Sequence, residues 1–236
     1  MTKLSTPSSS KFACKFCNKE FVREKTLVVH QCQAKRRFLQ RNELGPRLGM
    51  QAYQQFYRST QSNKERTYDD FEGCSYYTAF VKFGWHMHQI RAVNQAEFVV
   101  ALLKDNIKLD WWTKDRYYEK FVIELMKKEN PEAGVIRTIA ELGRWSTAHE
   151  VDISDFFTAA GPGAIINLII NGRLSPWFLL NCDQGVNSLS TFSEEQLVIA
   201  FKWLDPDFWV AKFDKYAEEV KWIREILDES GFNKKL

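Results

Sequence analysis

No run of eighteen apolar residues occurs in this 236-residue chain; the nearest approach, 161–180, is interrupted by Asn167, Asn171 and Arg173. A membrane-spanning helix is therefore not expected. The first eleven residues are rich in Ser and Thr and lack an apolar core segment, so they read as a flexible leader (1–10) rather than a secretory signal. Cysteine is scarce: five in all, and an odd count does not resemble a secreted disulfide framework. These absences predict a soluble protein in a reducing, intracellular compartment with no membrane partner: cytoplasm, host cytoplasm for a virus, or nucleus for a eukaryote. Catalytic signatures are missing too. Gly161-Pro162-Gly163-Ala164 has no following Lys-Ser/Thr to make a phosphate loop, and Ser, Cys and His do not gather in a nucleophile motif. A non-enzyme is expected. No repeat of fixed period is visible.

What is present is uneven. Residues 1–66 hold fourteen Lys/Arg against four Asp/Glu, a balance of +10, whereas the remainder holds nineteen against twenty-six, a balance of −7. A basic end on a mildly acidic body points to a polyanionic partner, nucleic acid first, with DNA ahead of RNA.

Apolar spacing predicts a mostly α fold: a small N-terminal ββα unit followed by an all-α helical domain. The segment 11–41 carries three of the cysteines and ends in the basic stretch 34–41. Residues 42–66 read as a linker with a short helix over 48–58, after a break at Gly45-Pro46. The body, 67–236, reads as helices over 71–90, 97–104, 114–128 and 132–145, then shorter pieces. Ser175-Pro176 and Asn130-Pro131 have the form of helix starts, and Ser193-Glu194-Glu195-Gln196 that of a capping box before 197–204. A last helix is expected from Asp205-Pro206 to about residue 229, stopped by Gly231. Tyr117, Phe121 and Leu125 repeat at helical spacing and read as core. His86, His88 and His149 read as surface residues, because none is paired at i,i+4 as helix-borne metal ligands require.

The most specific motif is Cys14-Lys15-Phe16-Cys17, followed by Phe21, Leu27, His30 and Cys32. Two thiols two residues apart suit a hairpin, and Phe21 and Leu27 can form a miniature core against Phe12 or Phe16. His30 would share a helical face with Leu27. A structural Zn2+ with four soft or borderline ligands stabilises such a short unit. The pattern resembles the Cys2His2 zinc-finger family, matching at Cys14, Cys17, Phe21, Leu27 and His30. It departs at the fourth ligand: positions 34–36 hold neither His nor Cys, and Cys32 supplies the donor. Residues two apart on a helix point about 200° from one another, so His30 and Cys32 can share a metal only if the helix unwinds just after His30. The resemblance implies that Arg23, Lys25, Thr26 and Val29 face bases in a DNA-reading mode, with Arg23 the foremost contact. One finger reads only about 3 bp. Lys11, Lys15, Lys19, Lys35, Arg36, Arg37 and Arg41 are expected to grip phosphates.

A second, fainter likeness joins the body (Ile107–Trp111 and Asp115–Tyr118 as sequence) to the all-helical helicase-loading proteins of large tailed phages. The expected function is a non-catalytic, weakly sequence-specific nucleic-acid-binding accessory protein whose helical body recruits a protein partner in replication, recombination or transcription. The rivals are an adaptor whose finger binds protein, a helicase-loader-like phage factor and, behind these, a nucleic-acid-processing enzyme.

Overall fold

A computed structural model describes residues 12–61 and 65–233. The leader, 1–10, Lys11 and the linker residues 62–64 lie outside the described residues. The described chain is predominantly helical, with a two-stranded antiparallel sheet at its start. It divides into two compact units: 1–89 with 103–113, and 90–102 with 114–236.

The first unit opens with β1 (Phe12–Ala13) and β2 (Glu20–Phe21), paired so that Phe12 faces Phe21 and Ala13 faces Glu20. Short helices α1 (Glu24–Val29) and α2 (Gln33–Gln40) follow. Next comes α3 (Leu44–Thr60), which is longer than the sequence suggests. Gly45-Pro46, expected as a break, lies in its first turn, where proline's missing N–H removes no helical bond. Position 67 falls inside this unit.

The apolar run 71–90 is divided in two, as α4 (Tyr68–Gly73) and α5 (Tyr77–Gln89), with Cys74 in extended conformation between them. A capping box starts α4: Thr67 accepts from the Asp70 N–H while Asp70 accepts from the Thr67 N–H. Helices α3 and α5 approach closely because glycines line the crossing: Gly45 lies under the Trp85 indole, and Gly49 and Gly84 meet opposing backbone. Tyr53, Phe71, Phe80 and Phe83 form the core with Trp112, which follows a 3-10 turn at Leu109–Trp111. Phe80 and Phe83 meet the Trp112 ring edge-on at 5.9 and 5.2 Å. The Trp112 indole N–H donates to the Ile107 carbonyl at 2.9 Å, satisfying the one polar group it buries.

The second unit contains most of α6 (Gln95–Lys104), then α7 (Asp115–Lys128) and α8 (Pro131–His149). The Asn130 side chain caps α8 with proline next, as expected. The buried face of α7 is Tyr118, Phe121, Val122 and Met126, rotated from the expected Tyr117–Phe121–Leu125 row. Phe98 of α6 fixes that rotation by meeting Tyr118 edge-on at 5.2 Å and Phe121 tilted at 5.1 Å.

Short helices α9 (Phe156–Ala159), α10 (Pro162–Ile170), α11 (Pro176–Leu179), α12 (Asp183–Ser188) and α13 (Glu194–Ala200) succeed. Ser175 caps α11, and Ser193 with Gln196 forms the expected box on α13. The final helix is two helices, α14 (Pro206–Lys215) and α15 (Ala217–Glu229). The break falls at Tyr216, whose ring meets Trp177 edge-on at 6.0 Å. Among the described residues no single helix is long and apolar enough to cross a membrane.

Candidate metal centre and cationic surface

The hairpin presents its two thiols through a tight knuckle. The Cys14 N–H donates to the Lys19 carbonyl at 2.9 Å, and the Asn18 N–H donates to the Cys14 carbonyl at 2.8 Å. Asn18 takes the left-handed conformation, φ 55°, which closes this turn and which asparagine tolerates. Cys14 is buried and Cys17 exposed.

The other two donors come from a helix break. Helix α1 stops at Val29, and His30 caps it with φ −67° and ψ 122°; it does not lie within the helix. Cys32, also extended, is the N-cap of α2, and its sulfur accepts the Lys35 N–H at 3.3 Å. With residues 30 and 32 both extended, the 200° divergence of a continuous helix disappears. The unwinding that the H-x-C spacing demands is present, and the basic stretch after it is a separate helix.

The ligand atoms of Cys14, Cys17, His30 and Cys32 all lie within 4.8 Å of one another. A tetrahedron with Zn–S near 2.3 Å and Zn–N near 2.0–2.1 Å has S···S edges of about 3.8 Å and S···N edges of about 3.6 Å. The Cys14–Cys32 sulfurs stand 3.9 Å apart, and Cys17 Sγ stands 3.3 Å from His30 Nε2. The donor set and its spacing fit a single divalent ion, consistent with zinc. Among the described residues this is the one group of three or more His, Cys, Asp or Glu donors so placed.

Local electrostatics favour deprotonation at one corner. The Phe16 N–H lowers the Cys14 thiol below its ordinary value, burial opposes it, and the Cys17 N–H assists. Cys17 is lowered by the Lys19 N–H, yet stands above its ordinary value because desolvation and the Cys14 and Cys32 sulfurs outweigh it. Three sulfurs this close ionise together only with a cation among them.

Aromatic rings brace the centre. The Phe21 and His30 rings lie 4.8 Å apart, orienting the imidazole. Phe16 packs on Phe38 of α2 at 5.1 Å, so the hairpin's aromatic is held by the second helix. Phe38 is a site residue that sequence reasoning missed, since it lies beyond the finger motif.

The predicted nucleic-acid contacts divide into exposed and half-buried groups. Arg23, Lys25, Thr26 and Arg36 are exposed, and Arg41 is exposed with its guanidinium 4.3 Å over the Phe38 ring. Lys35 and Arg37 are half-buried. Lys35 Nζ donates to the His30 carbonyl at 3.3 Å, holding the ligand-bearing break closed. Arg37 lies 4.3 Å over the Tyr77 ring and donates to the Glu72 carbonyl, fastening α2 to α4 and α5. Elsewhere, His149 stacks on Trp145 at 4.3 Å, Trp111 is exposed and Trp112 buried.

No protein-family model matches the chain, and no curated protein or solved structure matches it.

Proposed function

We propose that Cys14, Cys17, His30 and Cys32 hold a structural Zn2+, and that the protein is a non-catalytic accessory factor attached through this unit to nucleic acid, DNA ahead of RNA. The carrying observation is the gathering of four donor atoms within 4.8 Å of one another beside exposed Arg23, Lys25, Arg36 and Arg41. The ion supplies folding free energy to a hairpin and a six-residue helix too small to bury a core. Three thiolates and one imidazole leave the loaded centre with a charge of about −1, which Lys15, Lys19 and Lys35 offset. Helix α1 is about 9 Å long at 1.5 Å per residue, room for only one or two base contacts. Attachment is therefore carried mainly by phosphates and is weakly sequence-specific. The helical remainder recruits a protein partner.

Purified full-length chain should contain one zinc per molecule by mass spectrometry. Its affinity for labelled random-sequence DNA should fall steeply with salt, and R23Q/K25Q/R36Q/R41Q should weaken it about tenfold or more without loss of zinc. Salt-insensitive binding, or none in the zinc-loaded protein, defeats the nucleic-acid reading.

A protein-binding finger is the second reading. It is favoured by Val22, Val28 and Val29, which are 72%, 68% and 73% exposed on and beside α1. Under it, V28D/V29D abolishes partner capture and the arginine variant does not.

A further inference from the structure

Three arginines converge on one carboxylate in the second unit. Glu141 of α8 is 3% exposed. Its Oε1 accepts from Arg173 Nη1 at 2.5 Å and lies 3.1 Å from Arg91 Nη2. Its Oε2 accepts from Arg144 Nε at 2.9 Å and from Arg144 Nη2 at 2.5 Å. A carboxylate offers about four lone-pair sites, whereas each guanidinium carries five N–H donors. Glu141 is thus saturated by four contacts, and most of the arginine donors point elsewhere.

The charges do not balance. The neighbouring acid, Glu129, takes Arg137, whose Nη2 lies 2.7 Å from Glu129 Oε2 and whose Nε donates to the Gly172 carbonyl at 2.7 Å. Ser175 also donates to Glu129. That pair is neutral. The Glu141 group keeps an excess of about two positive charges, and it does so at the surface: Arg91 and Arg144 are each 56% exposed, while Arg173 is 15% exposed.

The group is also fixed in place. Arg91 takes a left-handed backbone, φ 50°, in the turn before α6, and Arg173 follows Gly172, φ 73°, after α10. Tyr118 pins both turns: the Val93 N–H donates to its hydroxyl at 2.8 Å, and the hydroxyl donates to the Asn171 carbonyl at 3.1 Å. Two chain reversals and one helix thus hold three guanidinium planes around a buried acid. One carboxylate neutralises one guanidinium, and arginines beyond that, held half in water with planar donor forks unspent, suit a second anion.

We propose that Arg91, Arg144 and Arg173, oriented by Glu141, form a phosphate-binding site in the helical body, and that its ligand is the phosphodiester backbone of nucleic acid. The choice of polyanion rests on the nucleic-acid reading above; the site itself does not involve the finger. The test uses the full zinc-loaded chain with fluorescein-labelled random-sequence single-stranded and duplex DNA. R91Q/R144Q leaves Glu141 paired with half-buried Arg173, so the fold should survive with zinc retained. The variant should lose about tenfold or more in affinity. Its log K against log salt slope should shrink by about two, near one for each phosphate no longer neutralised. If the double variant unfolds, single R91Q, which leaves Glu141 two arginines, should still lose affinity and about one unit of slope. Affinity and slope unchanged in the folded variant, with inorganic phosphate giving the wild type no protection against heat, overturn the site, whatever the finger variant does. Inorganic phosphate protecting the wild type against heat, with DNA affinity unmoved by R91Q/R144Q, overturns the choice of ligand. Loss in R91Q/R144Q with none in R23Q/K25Q/R36Q/R41Q upholds this site and defeats the finger reading.

Discussion

A β-carbon built on Gly84 would lie 2.4 Å from the Gly45 carbonyl oxygen and 2.6 Å from the Gly49 nitrogen, backbone atoms of α3 that no rotamer change can move. Gly84→Ala must push the two helices apart, and it should cost about 1–3 kcal/mol or more in urea unfolding. Gly143 of α8 is the opposite case, its added carbon meeting only Ile153 Cδ1 at 4.0 Å. There alanine should stabilise by about 0.4–1 kcal/mol, by narrowing the unfolded ensemble. A third residue-scale effect depends on pH. Burial pushes the Cys182 thiol up to about 11 from 9.0. The folded chain therefore keeps a proton that the unfolded chain releases. Stability is unaffected below pH 9 and declines as pH rises from about 9 to 11, by about 3 kcal/mol in total. Tyr118, pushed up to about 12 by burial, extends the decline. Urea titrations at pH 8 and pH 10.5 should show Cys182→Ala losing less between the two than wild type.

At the scale of elements, an ion held by the four donors would fix the α1–α2 break. Cys32→Ser removes a ligand yet keeps an N-cap oxygen for α2, so α2 should persist while the hairpin frays. Hydrogen exchange should quicken across 12–32 and stay slow in α3 and α5. Ser193→Ala, which removes half of the α13 capping box, should cost about 1 kcal/mol. Caps of this kind were legible in the sequence because Ser193 reaches Gln196 and Asn130 reaches Glu132 within one turn. The four ligands were legible for the same reason, as a spacing within nineteen residues. The break at Tyr216 was not, since neither Pro nor Gly marks it. Nor was the commitment of Arg37, whose partners Glu72 and Tyr77 lie far along the chain. The Glu141 group is a stronger instance: Arg91 is fifty residues before the acid and Arg173 thirty-two after it. Only Arg144, one turn away on α8, leaves a local trace.

On the scale of the whole molecule, the chain passes between its two units at 89/90, 102/103 and 113/114. The first unit is therefore not a contiguous piece. A fragment beginning at residue 67 discards Tyr53, whose ring meets Phe71 tilted at 5.3 Å and Phe80 edge-on at 5.5 Å. Such a fragment should bind hydrophobic dye and lose the near-ultraviolet dichroism of Trp112, so partner capture is best mapped by point substitution.

The late arrival of Trp112 also sets an order of events on the ribosome. All four metal donors have been made by Cys32, eighty residues before the tryptophan that completes the neighbouring aromatic cluster. At roughly 5–20 residues per second, translation separates the two by about 4–16 s. Under the proposed metal reading, the nascent donor cluster can take up an ion while the helices behind it still wait for their last ring. Stalled nascent chains of graded length, probed with protease, should gain resistance in two steps in that order.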